Sequence, residues 1–133
     1  MQNAECRVQN EGRRGADLNE RLLRLGARVI RLSAALPKTE EGLHIRRQIL
    51  RSGTSSGANY QEARGAESRP DFIHKMQIVL KELRETEFWL KLIGEAELAP
   101  APRLTGVLTE VDELTAIVVK SLVTARGNAR HEK

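Results

Sequence analysis

One cysteine, Cys6, is present, which excludes an internal disulfide framework and a cysteine-rich zinc site. Aromatic residues are 3% of the 133 residues, too few to build a stacking platform for single-stranded bases. No apolar run approaches the ~20 residues needed to span a bilayer. The opening residues MQNAECRVQNEGRRGAD lack the apolar core of a signal peptide. A cytoplasmic protein with a free thiol is therefore expected, with no membrane partner. Strand-favouring runs of Val, Ile, Thr and Tyr are missing as well. What remains is rich in Leu, Ala, Arg and Glu, with 30% charged residues, the composition of a single helical domain. The net charge of +4 and pI near 9.6 permit nucleic-acid binding without requiring it.

Apolar residues recur in alternating steps of four and three. The first series is Leu18, Leu22, Leu25, Val29, Leu32 and Leu36, closed by Pro37. Another runs Phe72, Met76, Val79, Leu83, Thr86, Leu90 and Ile93, ending at Gly94. Ser68-Arg69-Pro70-Asp71 before it reads as a helix start, with Ser68 as N-cap and Pro70 in the first turn. A further series follows Pro100-Ala101-Pro102: Leu104, Leu108, Val111, Thr115, Val118, Leu122 and Ala125. Ile73, Leu80, Val107, Leu114 and Ile117 widen these stripes beyond a two-stranded coil, as a globular bundle or an oligomer requires.

Residues 38 to 66 are harder. Ile45, Ile49, Ser52, Ser56, Asn59 and Ala63 keep the register while the side chains shrink and turn polar. One long helix and two short ones broken at Gly53 are both open, since Gly53 and Gly57 each cost a helix about 1 kcal/mol. The persistent register favours one helix. The same stretch holds Gly53-Thr54-Ser55-Ser56-Gly57, the string of a hydrolase nucleophile elbow. An elbow needs a buried strand before it, and IRRQILRS is helical in period. Two glycines four apart are better explained as a face on which a neighbouring helix comes close. Ser52, Ser56 and Asn59 would then lie inside, with Thr86 and Glu87 as hydrogen-bond partners and Glu62 or Arg51 nearby.

The segment RSGTSSGANYQEARGAESRPDFIHKMQIVLKELRETEFWLKLIG resembles the 23S rRNA intervening-sequence proteins. Gln48 to Ser52, the Gly53–Gly57 run, Ala58-Asn59, Glu62, Ser68 to Phe72, Glu82 and Glu87 carry the likeness, which extends from about Leu18 to Leu122. The resemblance implies one long second helix and an all-α, up-down-up-down four-helix bundle assembling as a ring, usually a homopentamer. It also implies nucleic-acid binding and a possible reverse transcriptase partner, because some relatives are accessory proteins of diversity-generating retroelements. The bundle is expected over residues 17–126, with disordered tails at 1–16 and 127–133.

Neither a metal site nor any other cofactor is expected. Glu41-x-x-His44 and Asp71-x-x-His74 echo di-iron ligand spacing. His44 and His74 open consecutive antiparallel helices, which puts them at opposite ends, and His131 falls in the tail. The arginines say more. Arg21, Arg24, Arg28 and Arg31 form one stripe, joined by Arg46, Arg47 and Arg51. Residues 17–65 carry nine Lys/Arg against five Asp/Glu, whereas residues 66–125 carry seven against ten. Two functions fit this asymmetry. The stripe meets phosphates of RNA or DNA, or the basic half of one subunit faces the acidic half of the next, with Glu110, Asp112 and Glu113 as counterpart. A solvated face, with pairs such as Glu20–Arg24, is the plain alternative. Trp89 falls between seam positions and, with Tyr60, is assigned to a subunit contact. The expected protein is a non-enzymatic nucleic-acid-binding accessory or scaffold; the alternative is a structural docking module with no nucleic-acid role.

Overall fold

The structure, a computed structural model, describes residues 4–131, with side chains described for residues 15–127. Four helices follow one another: α1 (Ala4–Ala34), α2 (Glu40–Arg64), α3 (Arg69–Glu95) and α4 (Ala101–His131). α1 packs on α2 and α4, and α3 packs on the same two, so the pairs α1/α3 and α2/α4 lie on the diagonals of an antiparallel bundle. Among the described residues there is no strand.

The heptad seams become the core. Leu22, Leu25, Val29, Ile49, Met76, Val79, Leu83, Leu90, Ile93, Val111 and Val118 are all but fully buried. In α4 the stripe is rotated slightly from its expected centre. Val107 and Leu114 are buried, while Leu108 and Thr115 are only half-buried. The reason is lateral: α4 turns its apolar face toward α3, and its other flank carries the carboxylates that meet α1.

Caps set the connections. The Thr39 hydroxyl accepts from the Gly42 N–H at 3.1 Å, and Ser68 does the same for the Asp71 N–H at 3.2 Å. Pro70 occupies the first turn of α3. α1 begins at Ala4 and α4 continues to His131. Expectations for residues 1–3 and 132–133 lie outside the described residues.

Residues 40–64 form one uninterrupted helix. Small residues make this possible, because α1 sits almost against the α2 backbone. A Cβ on Gly53 would lie 2.7 Å from Val29 Cγ1, and one on Gly57 would lie 3.5 Å from the Leu22 backbone. What glycine costs in helix propensity is offset by dispersion attraction between two helices packed at short range.

Candidate nucleic-acid interface

The G-x-S-x-G string is mid-helix. Ser55 donates to the Ser52 carbonyl at 3.4 Å, and Ser56 to the Gly53 carbonyl at 3.4 Å, the local bonds of helical serines. No sharp turn presents a nucleophile here. Inside the bundle, Ser52 and Thr86 meet: the Thr86 hydroxyl lies 3.0 Å from Ser52 Oγ and 2.8 Å from the Glu82 carbonyl. Ser52, Ser56 and Thr86 are fully buried, as expected.

Asn59 and Glu87 are not members of that interior group. Asn59 is half-buried and donates to the Ser55 carbonyl of its own helix at 2.8 Å. Glu87 turns outward and pairs with Lys91 at 2.7 Å. The buried carboxylate is Glu82, 8% exposed and four residues before Thr86. Arg51 reaches it at 3.3 Å and also engages Glu85. Removing Arg51 leaves Glu82 buried without its counter-charge. Arg51→Ala is therefore expected to lower unfolding free energy by about 1–2 kcal/mol, discounted because the arginine itself is half-exposed. Urea denaturation of Arg51→Ala, Glu82→Gln and the double variant measures it. The double variant is expected to lose less than the two singles combined.

The aromatic residues are placed differently from expectation. Tyr60 is buried in the subunit's own core, where burial pushes its phenol above the ordinary range and Arg64 pulls the other way. Only 6% of its surface is left for a neighbour. Trp89 is half-buried, packed edge-on to His44 of α2 at 6.2 Å and to Phe88 at 5.0 Å. Its indole N–H is buried and has no acceptor among the described residues. Among the described residues the large apolar groups facing solvent are Leu23, Ile30, Phe88, Ile117, Val119 and Val123; Ile117 thus lies outside the buried stripe it was expected to widen. His74 is exposed, and the His131 side chain lies outside the described residues. Among those residues no three of His, Cys, Asp and Glu come together as metal ligands.

The arginine stripe splits. Arg21 crosses to α4, bonded to Glu110 and, at 2.8 Å, to Glu113. These bonds, that to Glu110 first, raise its pKa further. Two of the three carboxylates expected to face another subunit are thus used within the chain, which corrects that part of the ring-contact expectation. Arg24 pairs with Glu20 at 2.6 Å, both exposed. Arg28, Arg31, Arg46 and Arg47 have no ion pair among the described residues. Arg28 lies against α4 over Gly106, and with Arg31, Leu32, Arg103 and Val107 it lines an open cleft of about 230 Å³. Arg103 was missed in the sequence because it is remote from the stripe. Antiparallel packing of α4 on α1, implied by up-down-up-down order, is the signal that brings it there.

Residues 17–120 match the profile of the family described as 23S rRNA-intervening sequence protein. The chain belongs to that family. A similar solved structure, from Bacteroides thetaiotaomicron VPI-5482, is a protein of unknown function from the S23 ribosomal protein family, determined at 1.70 Å resolution. It shares 34% identity and a TM-score of 0.75, over 79% of this chain and 97% of that one. No curated protein matches the chain. The family match covers the core positions up to Val118 and the whole arginine stripe, so the ion pairs and the cleft lie within the matched residues. None of the described helices is long and apolar enough to cross a membrane.

Proposed function

We propose that the protein is a non-enzymatic, oligomeric scaffold that binds RNA or DNA through its phosphates. The observation that carries this reading is the set of arginines that have no carboxylate partner among the described residues, Arg28, Arg31, Arg46, Arg47 and Arg103. Structural arginines such as Arg21 and Arg51 find carboxylates on neighbouring helices of the same chain; the others keep their charge for an external polyanion. The family's description, which names an rRNA intervening sequence, agrees with a nucleic-acid role. Binding through phosphates is salt-dependent and largely independent of sequence.

Affinity for a duplex is expected to fall linearly with salt on a log–log plot. The Arg46→Ala/Arg47→Ala variant should flatten that slope by about 0.9 for each phosphate no longer neutralised. Fluorescence anisotropy at several salt concentrations measures it, and no affinity at low salt would remove the nucleic-acid reading.

A cyclic homo-oligomer, a pentamer by resemblance, is the proposed assembly. Leu23, Ile30, Phe88 and Val123 supply its apolar contact area. A monomer by light scattering would sink it. The same exposed groups favour the second reading, a protein-docking module, for which a reverse transcriptase is one partner to test by co-purification.

A further inference from the structure

We propose that the cleft between the last turns of α1 and the first turn of α4 is a site for a single phosphate group. The inference rests on the polyanion-binding reading and gives it a defined anchor. Three arginines, Arg28, Arg31 and Arg103, line this one depression, and among the described residues none has a carboxylate partner. Like charges gathered at one place repel, and the repulsion grows where side chains are partly withdrawn from water.

Arg28 is such a case. It is half-buried, and its guanidinium lies so near Gly106 that an added Cβ there would be 2.9 Å from Nη2. Arg103 stands in the first turn of α4, where the helix dipole is also positive. Only Arg31, in the last turn of α1, sits where a dipole favours a cation. A bound oxyanion reverses the balance. Guanidinium forks fit the oxygens of a tetrahedral phosphate two at a time, and Leu32 and Val107 line the cleft beside the arginines. The phosphate belongs either to a strand terminus or to an internal phosphodiester, and these two sources can be separated.

Two variants test the site, Arg28→Ala/Arg103→Ala and Gly106→Val. The second removes no charge but fills the space Arg28 occupies; Gly106 is exposed on a helix, so the fold is expected to tolerate it. Circular dichroism melts confirm folding of both. Inorganic pyrophosphate should raise the melting temperature of the wild type and do so much less for either variant. Short RNA should bind the double variant about tenfold or more weakly at low salt.

A 5′-phosphorylated RNA that outbinds its 5′-hydroxyl counterpart, with the advantage lost in both variants, assigns the site to a strand terminus. Equal binding of the two RNAs, weakened alike by the variants, assigns it to an internal phosphodiester. Variants that bind RNA as the wild type does, with no pyrophosphate stabilisation in any protein, would overturn the cleft and leave the general reading standing. Pyrophosphate stabilisation lost in the variants, with no RNA affinity in the wild type, would keep the cleft and remove the nucleic-acid reading.

Discussion

Gly53→Leu is expected to be among the most damaging single changes available in this chain. Even the first carbon of the new side chain would lie 2.7 Å and 2.8 Å from the two γ-carbons of Val29 and 3.0 Å from its β-carbon. Val29 is fully buried and stiff at its branched β-carbon, so it has nowhere to go. α1 would have to lift from α2 along the whole small-residue seam. Overpacking of this kind costs more than the ~1 kcal/mol that leucine regains in helix propensity. A net loss of about 2–4 kcal/mol is expected, lowering the melting temperature by roughly 10 °C. Val29→Ala should partly relieve the smaller defect of Gly53→Ala, so the double variant loses less than its singles combined. A Gly53→Leu protein that melts with the wild type would disprove the close approach.

Gly42→Ala should cost about as much for a different reason. Its Cβ would fall 2.0 Å from the Pro37 carbonyl oxygen and 2.9 Å from the carbonyl carbon. The obstacle is backbone, fixed by the proline ring and by the start of α2. The first turn must open, and with it goes the bond from the Gly42 N–H to Thr39. A lost cap is worth about 1 kcal/mol, and the displaced connection brings the expected total to about 2–4 kcal/mol. Guanidinium unfolding gives the free energy. Hydrogen exchange should show protection lost first at the start of α2; unchanged protection there would refute the mechanism.

The two glycines also mark what a sequence can and cannot say. Heptad spacing located Leu22, Leu25, Val29, Met76, Leu83 and Leu90 in the core because periodicity is a property of one helix. Ser68 was legible as a cap for the same local reason. At Gly53 the glycine and the register conflict; the register favours a helix, and the nearness of Val29, a tertiary fact, shows why a glycine stands there. The arginines pose the same difficulty. Arg21 and Arg28 look equivalent on one stripe, yet Arg21 lands beside Glu110 and Arg28 beside Gly106. Glu82 could have been preferred to Glu87, since four residues before Thr86 is the same helical face, whereas the next residue is turned about 100° away. Tyr60 was misassigned because an aromatic beside a seam position reads as peripheral. Its ring packs toward α1, where a Cβ on Gly15 would lie 3.4 Å from the phenol oxygen.

Even helix number gives the subunit a polarity. The chain returns to the side where it began, so the Ala4 end of α1 and the His131 end of α4 share one pole. The cleft of Arg28, Arg31 and Arg103 lies toward the other, about 36 Å away along α1 at 1.5 Å per residue. A protein fused to either terminus would hang from the pole opposite the cleft. In a closed cyclic assembly every subunit points the same way, so the clefts would form a crown on a single rim. A polyanion long enough to touch several of them would be held by all at once, each weak grip raising the local concentration for the next.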